Sequence, residues 1–269
     1  MENVISFPKL GLTFNVNQAA FYIGSKPIYW YALIILGGFL IALLFAEKSA
    51  KKRGINPENV FDIALYGLIA GIICARIYYV VFDFSSFKDN LWDVFKIWEG
   101  GLAIYGGIIG GVLTALVYCK VKKLKTLKIF DIFAPGLLIG QAIGRYGNFF
   151  NAEVYGRETS SVFGMSINGA TPVHPLFFYE SCWNIIGLII ILLVRDRKKA
   201  DGQVFFMYTL WYAAGRLILE GMRQKQYILY AFSGVGISQL VSAALIVVSI
   251  AAFFLLGKRQ NKSLEDKKD

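Results

Sequence analysis

Long apolar runs alternate with short polar connectors along this chain. The hydrocarbon core of a bilayer takes about 20 apolar residues per helix. Seven runs approach that length: roughly Ile28–Ala46, Val60–Phe82, Gly101–Cys119, Ile129–Gly147, Pro175–Val194, Gln203–Gly221 and Val235–Gly257. The pattern predicts an all-α polytopic membrane protein, with one seven-helix membrane domain over 1–257 and a basic cytoplasmic tail over 258–269. Asn56-Pro57-Glu58 has the order of a cap, a first-turn proline and an acid at the positive helix end. His174-Pro175 marks a second such start. Glycines recur at spacing four, in Gly67/Gly71, Gly106/Gly110, Gly107/Gly111 and Gly136/Gly140/Gly144. They predict close approach of the second, third and fourth helices. Leu91, Val94, Phe95 and Trp98 have i, i+3, i+4, i+7 spacing, which predicts a short helix lying on the outer membrane surface. Residues 148–174 are rich in Gly, Asn, Ser and Thr and predict a small irregular or β-like extracytoplasmic cap.

The connectors set the orientation. Alternate ones carry 18 Lys and Arg (47–59, 120–128, 195–202 and the tail), the others 7, and Arg76, Arg145 and Arg216 lie inside spans. The positive-inside rule then puts the N-terminus outside and the C-terminus in the cytoplasm. The net charge of +10 is therefore a topology signal, with affinity for an anionic inner leaflet, and needs no nucleic acid partner. Composition agrees: 56% hydrophobic and 17% charged residues, against about 45–50% and about 25% in soluble chains. Three cysteines, all in or at the ends of spans, exclude a disulfide scaffold and suit small packing positions. One histidine and three scattered cysteines cannot build a four-ligand zinc site, so no metal is expected. The first apolar run is too long for a signal-peptide core and has no basic region before it, so no cleavable signal peptide is expected.

Ionisable residues inside spans mark function more often than packing. Each arginine taken singly is satisfied as a snorkelled or ion-paired anchor, since all three fall in the outer halves of their helices. Their company gives them more meaning. Tyr29 and Tyr31, Tyr105, then His174, Tyr179 and Glu180, and finally Glu220 and Arg223 all fall at the same outer level. Guanidinium groups at headgroup depth suit a lipid phosphate, to which they offer planar bidentate donors while staying charged. The pattern gives a site for an anionic phospholipid open to the outer leaflet. It leaves substrate, transported cargo and structural lipid all open.

The densest polar run, Gly144-Arg145-Tyr146-Gly147-Asn148-Phe149-Phe150-Asn151-Ala152-Glu153-Val154-Tyr155-Gly156, resembles the G-R-x-G-N-F-x-N-x-E-x-x-G signature of the bacterial prolipoprotein diacylglyceryl transferases. Tyr29-Trp30-Tyr31, Gly106-Gly107, His174-Pro175 with Tyr179-Glu180, and Gly215-Arg216 with Glu220 and Arg223 are similar to further blocks of that family, in the same order. The likeness spans roughly 25–245. One position departs: many members carry His before the glycine pair where this chain has Tyr105, and a phenol of pKa about 10 is a poor base near pH 7.

The resemblance implies transfer of the diacylglyceryl group of phosphatidylglycerol to the lipobox cysteine of a prolipoprotein signal peptide. A thioether forms and glycerol-1-phosphate leaves, as the first step of bacterial lipoprotein modification. It implies a multi-pass protein of the bacterial cell membrane, with its active site facing the extracytoplasmic leaflet and membrane lipids as partners. In this reading Arg145 and Arg216 bind the phosphate and its developing charge. Tyr105 and His174 are the remaining catalytic candidates, and Tyr31 and Tyr105 line the site. Asn148 and Asn151 orient hydroxyls or the precursor backbone, and Glu153 and Glu220 hold the arginines. Gly156 keeps the outside turn open. Arg223 and Arg76 complete the candidate substrate-binding set. No cofactor is expected, since the reaction is not redox and arginine supplies the positive charge. A phospholipid scramblase or anionic-lipid transporter predicts charge continuing through the membrane depth, and a seven-helix sensor predicts binding without turnover.

Overall fold

The computed structural model describes residues 2–232 and 234–265. Its frame is seven long helices: α1 (Trp30–Lys52), α2 (Pro57–Phe82), α3 (Ile104–Val121), α4 (Thr126–Asn151), α5 (Leu176–Val194), α6 (Gln203–Glu220) and α7 (Ile237–Glu265). All but α6 are long and apolar enough to cross a membrane. The expectation of seven such spans thus holds for six. The 18 residues of α6 include Gln203, Thr209, Arg216 and Glu220, and these polar positions dilute its hydropathy. Two compact units make up the described chain, one of residues up to Ala42 with those from Phe133 on, the other Leu43–Ile132.

In the Leu43–Ile132 unit, Asn56 caps α2 as its sequence predicts, its side chain accepting from the Glu58 amide at 3.1 Å. The glycine stripe brings α2 and α3 together. A Cβ on Gly106 would lie 2.3 Å from the Cys74 carbonyl oxygen, and one on Gly110 2.7 Å from that of Ala70. The expected surface helix at 91–98 is instead two 3-10 turns, Leu91–Phe95 and Ile97–Glu99. Arg76 gives the reason. Its Nε donates to the Val94 carbonyl at 2.7 Å, Nη1 to those of Gly100 and Gly101 at 2.7 and 2.9 Å, and Nη2 to those of Asp93 and Lys96 at 2.6 and 3.5 Å. These carbonyls turn toward a guanidinium rather than along a helix axis.

The other unit has small strands that the apolar pattern did not reveal. β1 (Glu2–Phe7) pairs antiparallel with β2 (Leu12–Asn17), and β3 (Ala19–Ile23) with β4 (Lys26–Tyr29), just before α1. β5 (Ser166–Ile167) joins the free edge of β1, giving the order β2-β1-β5. The cap expected after α4 therefore shares its sheet with the N-terminal hairpin. Ile5, Val16, Met165, Val173 and Phe177 form its core, with Phe149 and Phe150 packed against them. These two aromatics also extend α4 past its expected end at Gly147. Phe149 meets Phe14 and Phe177, Phe150 stacks on Trp30 at 5.3 Å, and the helix runs on to Asn151. A last short hairpin, β6 (Tyr230–Phe232) with β7 (Val235–Gly236), precedes α7, so the seventh run starts as strand rather than helix.

Candidate active site

Arg145 near the end of α4, Glu180 in the second turn of α5, Arg216 and Glu220 towards the end of α6 and Arg223 just beyond it bring three arginines onto two carboxylates. Arg145 Nη2 lies 2.5 Å from Glu180 Oε2, and Arg216 Nη1 lies 4.0 Å from Glu180 Oε1. Arg216 Nη2 meets Glu220 Oε2 at 2.9 Å, and Arg223 Nη1 reaches the same oxygen at 3.5 Å. The i, i+4 and i, i+3 spacings of Glu220 with Arg216 and with Arg223 put these groups on one side of the helix end. The carboxylates are the more buried members, at 9% and 2% exposure, whereas the side chains of Arg145, Arg216 and Arg223 stay partly open. Three positive and two negative groups leave the cluster one charge positive. Burial, then the neighbouring Arg216, pull the Arg223 pKa below its ordinary value, and its Nε is a buried donor without a hydrogen-bond partner among the described residues.

A second chain of contacts runs along the segment that carries the signature. Arg145 Nη1 donates to Asn148 Oδ1 at 3.4 Å, and Glu153 Oε1 accepts from the amides of Asn148 and Asn151 at 3.0 and 3.2 Å. The arginine-holding part expected of Glu153 therefore falls to Glu180. Among the described residues, Glu153 reaches Arg145 through Asn148. Glu153 sits between two left-handed residues, Ala152 (φ 53°) and Val154 (φ 55°). That conformation is strained for a β-branched side chain. The turn is closed off by the Asn148 carbonyl accepting from the Glu153 amide and by the side-chain contacts just described.

The glycines act by close approach. Gly147 carries the ring of Tyr31, which a Cβ there would meet at 2.7 Å. Gly156 does not hold a turn open, as its sequence suggests. It sits at a crowded crossing where a Cβ would lie 2.6 Å from His174 Cβ and 2.9 Å from the Met222 carbonyl oxygen. Its amide donates to the His174 carbonyl, and it bridges to Arg223. His174 sits in the loop before α5, its Nδ1 3.3 Å from the Tyr179 hydroxyl, and burial lowers its pKa.

Arg76 and Tyr105 belong to the Leu43–Ile132 unit. All five N–H groups of Arg76 are taken by carbonyls, and the side chain packs on the rings of Phe87 and Tyr79. It is a loop clamp, with no N–H group left over for the substrate-binding part suggested on its sequence. Tyr105 is half-buried, its ring 6.4 Å from that of Tyr78.

The family model for prolipoprotein diacylglyceryl transferase matches residues 18–255. The chain belongs to the prolipoprotein diacylglyceryl transferase family. Curated phosphatidylglycerol–prolipoprotein diacylglyceryl transferases from Streptococcus pyogenes serotypes M5 (strain Manfredo), M49 (strain NZ131) and M1 are each 41% identical to it over 259 residues, 93% of this chain and 98% of theirs. The family match takes in every residue of the arginine cluster. Two contributors had no assigned part on sequence grounds. Glu180 bridges two arginines, and its adjacency to Tyr179 in the H-P-x-x-x-Y-E block was the available signal. Arg157 donates to the carbonyls of Gly221 and Arg223, tying the cap to the end of α6, and a lone loop arginine carries no sequence signal of that kind.

Proposed function

We propose that this protein transfers the diacylglyceryl group of phosphatidylglycerol to the lipobox cysteine of prolipoproteins, in the bacterial cell membrane and at its extracytoplasmic leaflet. Family membership supports the reaction. The observation that carries the site is the arginine cluster with its single excess positive charge. A phosphodiester bears one negative charge and matches it.

The chemistry runs as follows. The cysteine sulfur attacks the glycerol carbon that bears the phosphate oxygen. A C–S bond forms, the C–O bond breaks, and its electron pair leaves on glycerol-1-phosphate. The phosphate goes from one negative charge towards two. Fixed guanidiniums therefore hold the transition state more tightly than the ground state. A free thiol of pKa about 8.5 is only slightly ionised at pH 7. Adjacent positive charge raises its thiolate fraction, and His174, oriented by Tyr179, takes the proton. Arg145 and Arg216 grip the phosphate, and Glu180 and Glu220 fix them. Asn148 and Asn151 orient the headgroup hydroxyls, and Arg223 offers the remaining donor. Tyr31 lines the path of the substrate.

In this proposal α6 also crosses the membrane, which completes seven spans, and the N-terminus lies outside. Eighteen helical residues extend about 27 Å at 1.5 Å each, close to a hydrocarbon core of about 30 Å. The ion pairs of Arg216 and Glu220 offset the cost of placing them near its end.

The test uses purified protein, phosphatidylglycerol and a lipobox cysteine peptide, with the peptide mass as readout. A diacylglyceryl increment is expected, and its loss in Arg145→Ala and in Arg216→Ala. Lipid exchange between leaflets without an increment would favour the scramblase reading and overturn this one. Near-normal transfer in both variants would remove the arginines from the site.

A further inference from the structure

Helices α5 and α6 share a contact that the reaction chemistry above does not use. Trp183 Nε1 donates to the Trp211 carbonyl at 3.0 Å, and Trp211 Nε1 donates to the Trp183 carbonyl at 2.9 Å. The two indoles stack with centroids 4.5 Å apart and planes 22° apart. In each helix a glycine follows four residues later, Gly187 after Trp183 and Gly215 after Trp211. A Cβ on Gly215 would lie 2.2 Å from Trp183 Nε1, and one on Gly187 2.3 Å from Trp211 Nε1. The glycines are therefore what admits each indole to the opposite backbone.

The physical reason is general. A helical carbonyl keeps a second lone pair after bonding the amide four residues on, and the side chain at that position shields it. Glycine there leaves it open. An indole N–H is a donor with no acceptor role, and when buried it takes a partner. The W-x-x-x-G pair thus forms a reciprocal clasp between antiparallel neighbours. Ridge-and-groove packing lets helices settle over a range of angles and offsets. Two directional bonds running in opposite senses select one offset.

That offset matters because of what adjoins it. Glu180 lies one turn before Trp183 on α5, and Arg216 follows Gly215 directly on α6. The Arg216–Glu180 contact is the long one of the cluster, at 4.0 Å, so a small slide along either helix would make or break it. We propose that Trp183 and Trp211 are positioning residues, which set the register of α5 against α6 so that Glu180 bridges Arg145 and Arg216. The inference rests on the proposed parts of Glu180 and Arg216 in phosphate binding.

The experiment compares Trp183→Phe, Trp211→Phe and their double variant with Ile191→Ala, a buried packing change in the cluster against which Trp211 packs that removes neither indole hydrogen bond. Steady-state transfer and thermal unfolding are measured for each. Phenylalanine keeps an aromatic ring and loses the donor. Each single variant is expected to lower kcat between about tenfold and about a hundredfold, the scale of a misplacement of about 1 Å. KM for phosphatidylglycerol should stay within about twofold. The double variant should be no slower than the worse single one, because the two bonds act as a unit. Ile191→Ala should lose stability and keep kcat within about twofold. In a Glu180→Gln background, Trp211→Phe should add less than about a further twofold.

Wild-type kcat in both single variants would overturn the proposal. So would an equal kcat loss in Ile191→Ala at matched stability, or a full multiplicative effect on top of Glu180→Gln. Intact turnover in Glu180→Gln alone would instead bring down the site reading. Intact turnover in the tryptophan variants beside a crippled Glu180→Gln would bring down the clasp and leave the site standing.

Discussion

Glu180 is the residue on which the arginine cluster turns. One buried carboxylate faces two guanidiniums from different helices. Removing one partner of a buried ion pair costs about 3–5 kcal/mol, because the other charges are left uncompensated. Glu180→Ala is therefore expected to lower the unfolding midpoint by roughly 6–20 °C, at about 2–4 °C per kcal/mol, and to abolish transfer. Glu180→Gln keeps the shape and should lose less stability. An unchanged midpoint in the alanine variant would show that the pair contributes nothing. His174 gives a second, independent handle. Burial lowers its pKa from the ordinary 6.5. The base form is the neutral imidazole, so lowering the pKa extends that form to more acidic pH. The acid limb of the kcat/KM profile should then fall below pH 6.5 and vanish in His174→Asn along with most of the rate. A limb unmoved by that substitution would assign the proton acceptor elsewhere.

At the scale of elements, the structure separates glycines that the spacing alone treats alike. A Cβ on Gly106 meets α2 backbone at 2.3 Å, where nothing flexible can yield, whereas one on Gly107 finds its nearest neighbour at 3.8 Å. Gly106→Ala should cost about 1–3 kcal/mol or more by overpacking. Gly107→Ala should be neutral or slightly stabilising, since alanine is the better helix former by about 1 kcal/mol. Thermal unfolding of the two variants side by side checks this, and equal midpoints would refute it. The Arg76 clamp makes a prediction of the same kind. In Arg76→Ala five carbonyls lose their donor, and protease cleavage between Asp83 and Leu102 should accelerate while α2 and α3 stay intact. What was legible in the sequence follows from these cases. Apolar runs, the Asn56 cap and the glycine stripe are local signals, and they located the long helices. Arg76 was misjudged because its partners are backbone carbonyls, which leave no residue-type trace. Glu180 was left without a part because its pairing depends on the offset between α5 and α6. The β1–β2 hairpin was missed because the third strand of its sheet, β5, comes from residues 166–167, far along the chain.

For the molecule as a whole, the sidedness of the membrane decides whether the arginine cluster can meet its proposed substrates at all. The basic residues divide 18 to 7 between alternate connectors. Long-range charge of this kind sets orientation during insertion rather than the fold itself. The same rule that puts the 120–128 connector in the cytoplasm puts the 148–174 cap, and with it the cluster at the end of α4, on the outer side. The two assignments stand or fall together, which makes them testable as a pair. With the three native cysteines replaced, a single cysteine at exposed Ser160 and another at exposed Lys122 report on the two connectors. In intact cells a membrane-impermeant maleimide should label Ser160→Cys and spare Lys122→Cys, and permeabilised cells should label both. The reverse pattern would place the cluster in the cytoplasm, on the wrong side for an extracytoplasmic reaction. Labelling of both in intact cells would mean an even number of spans between residues 122 and 160, and so would remove α4 from the membrane. With α4 removed, Arg145 would lie outside the bilayer, where a lipid phosphate still held in its headgroup layer could not be gripped from below.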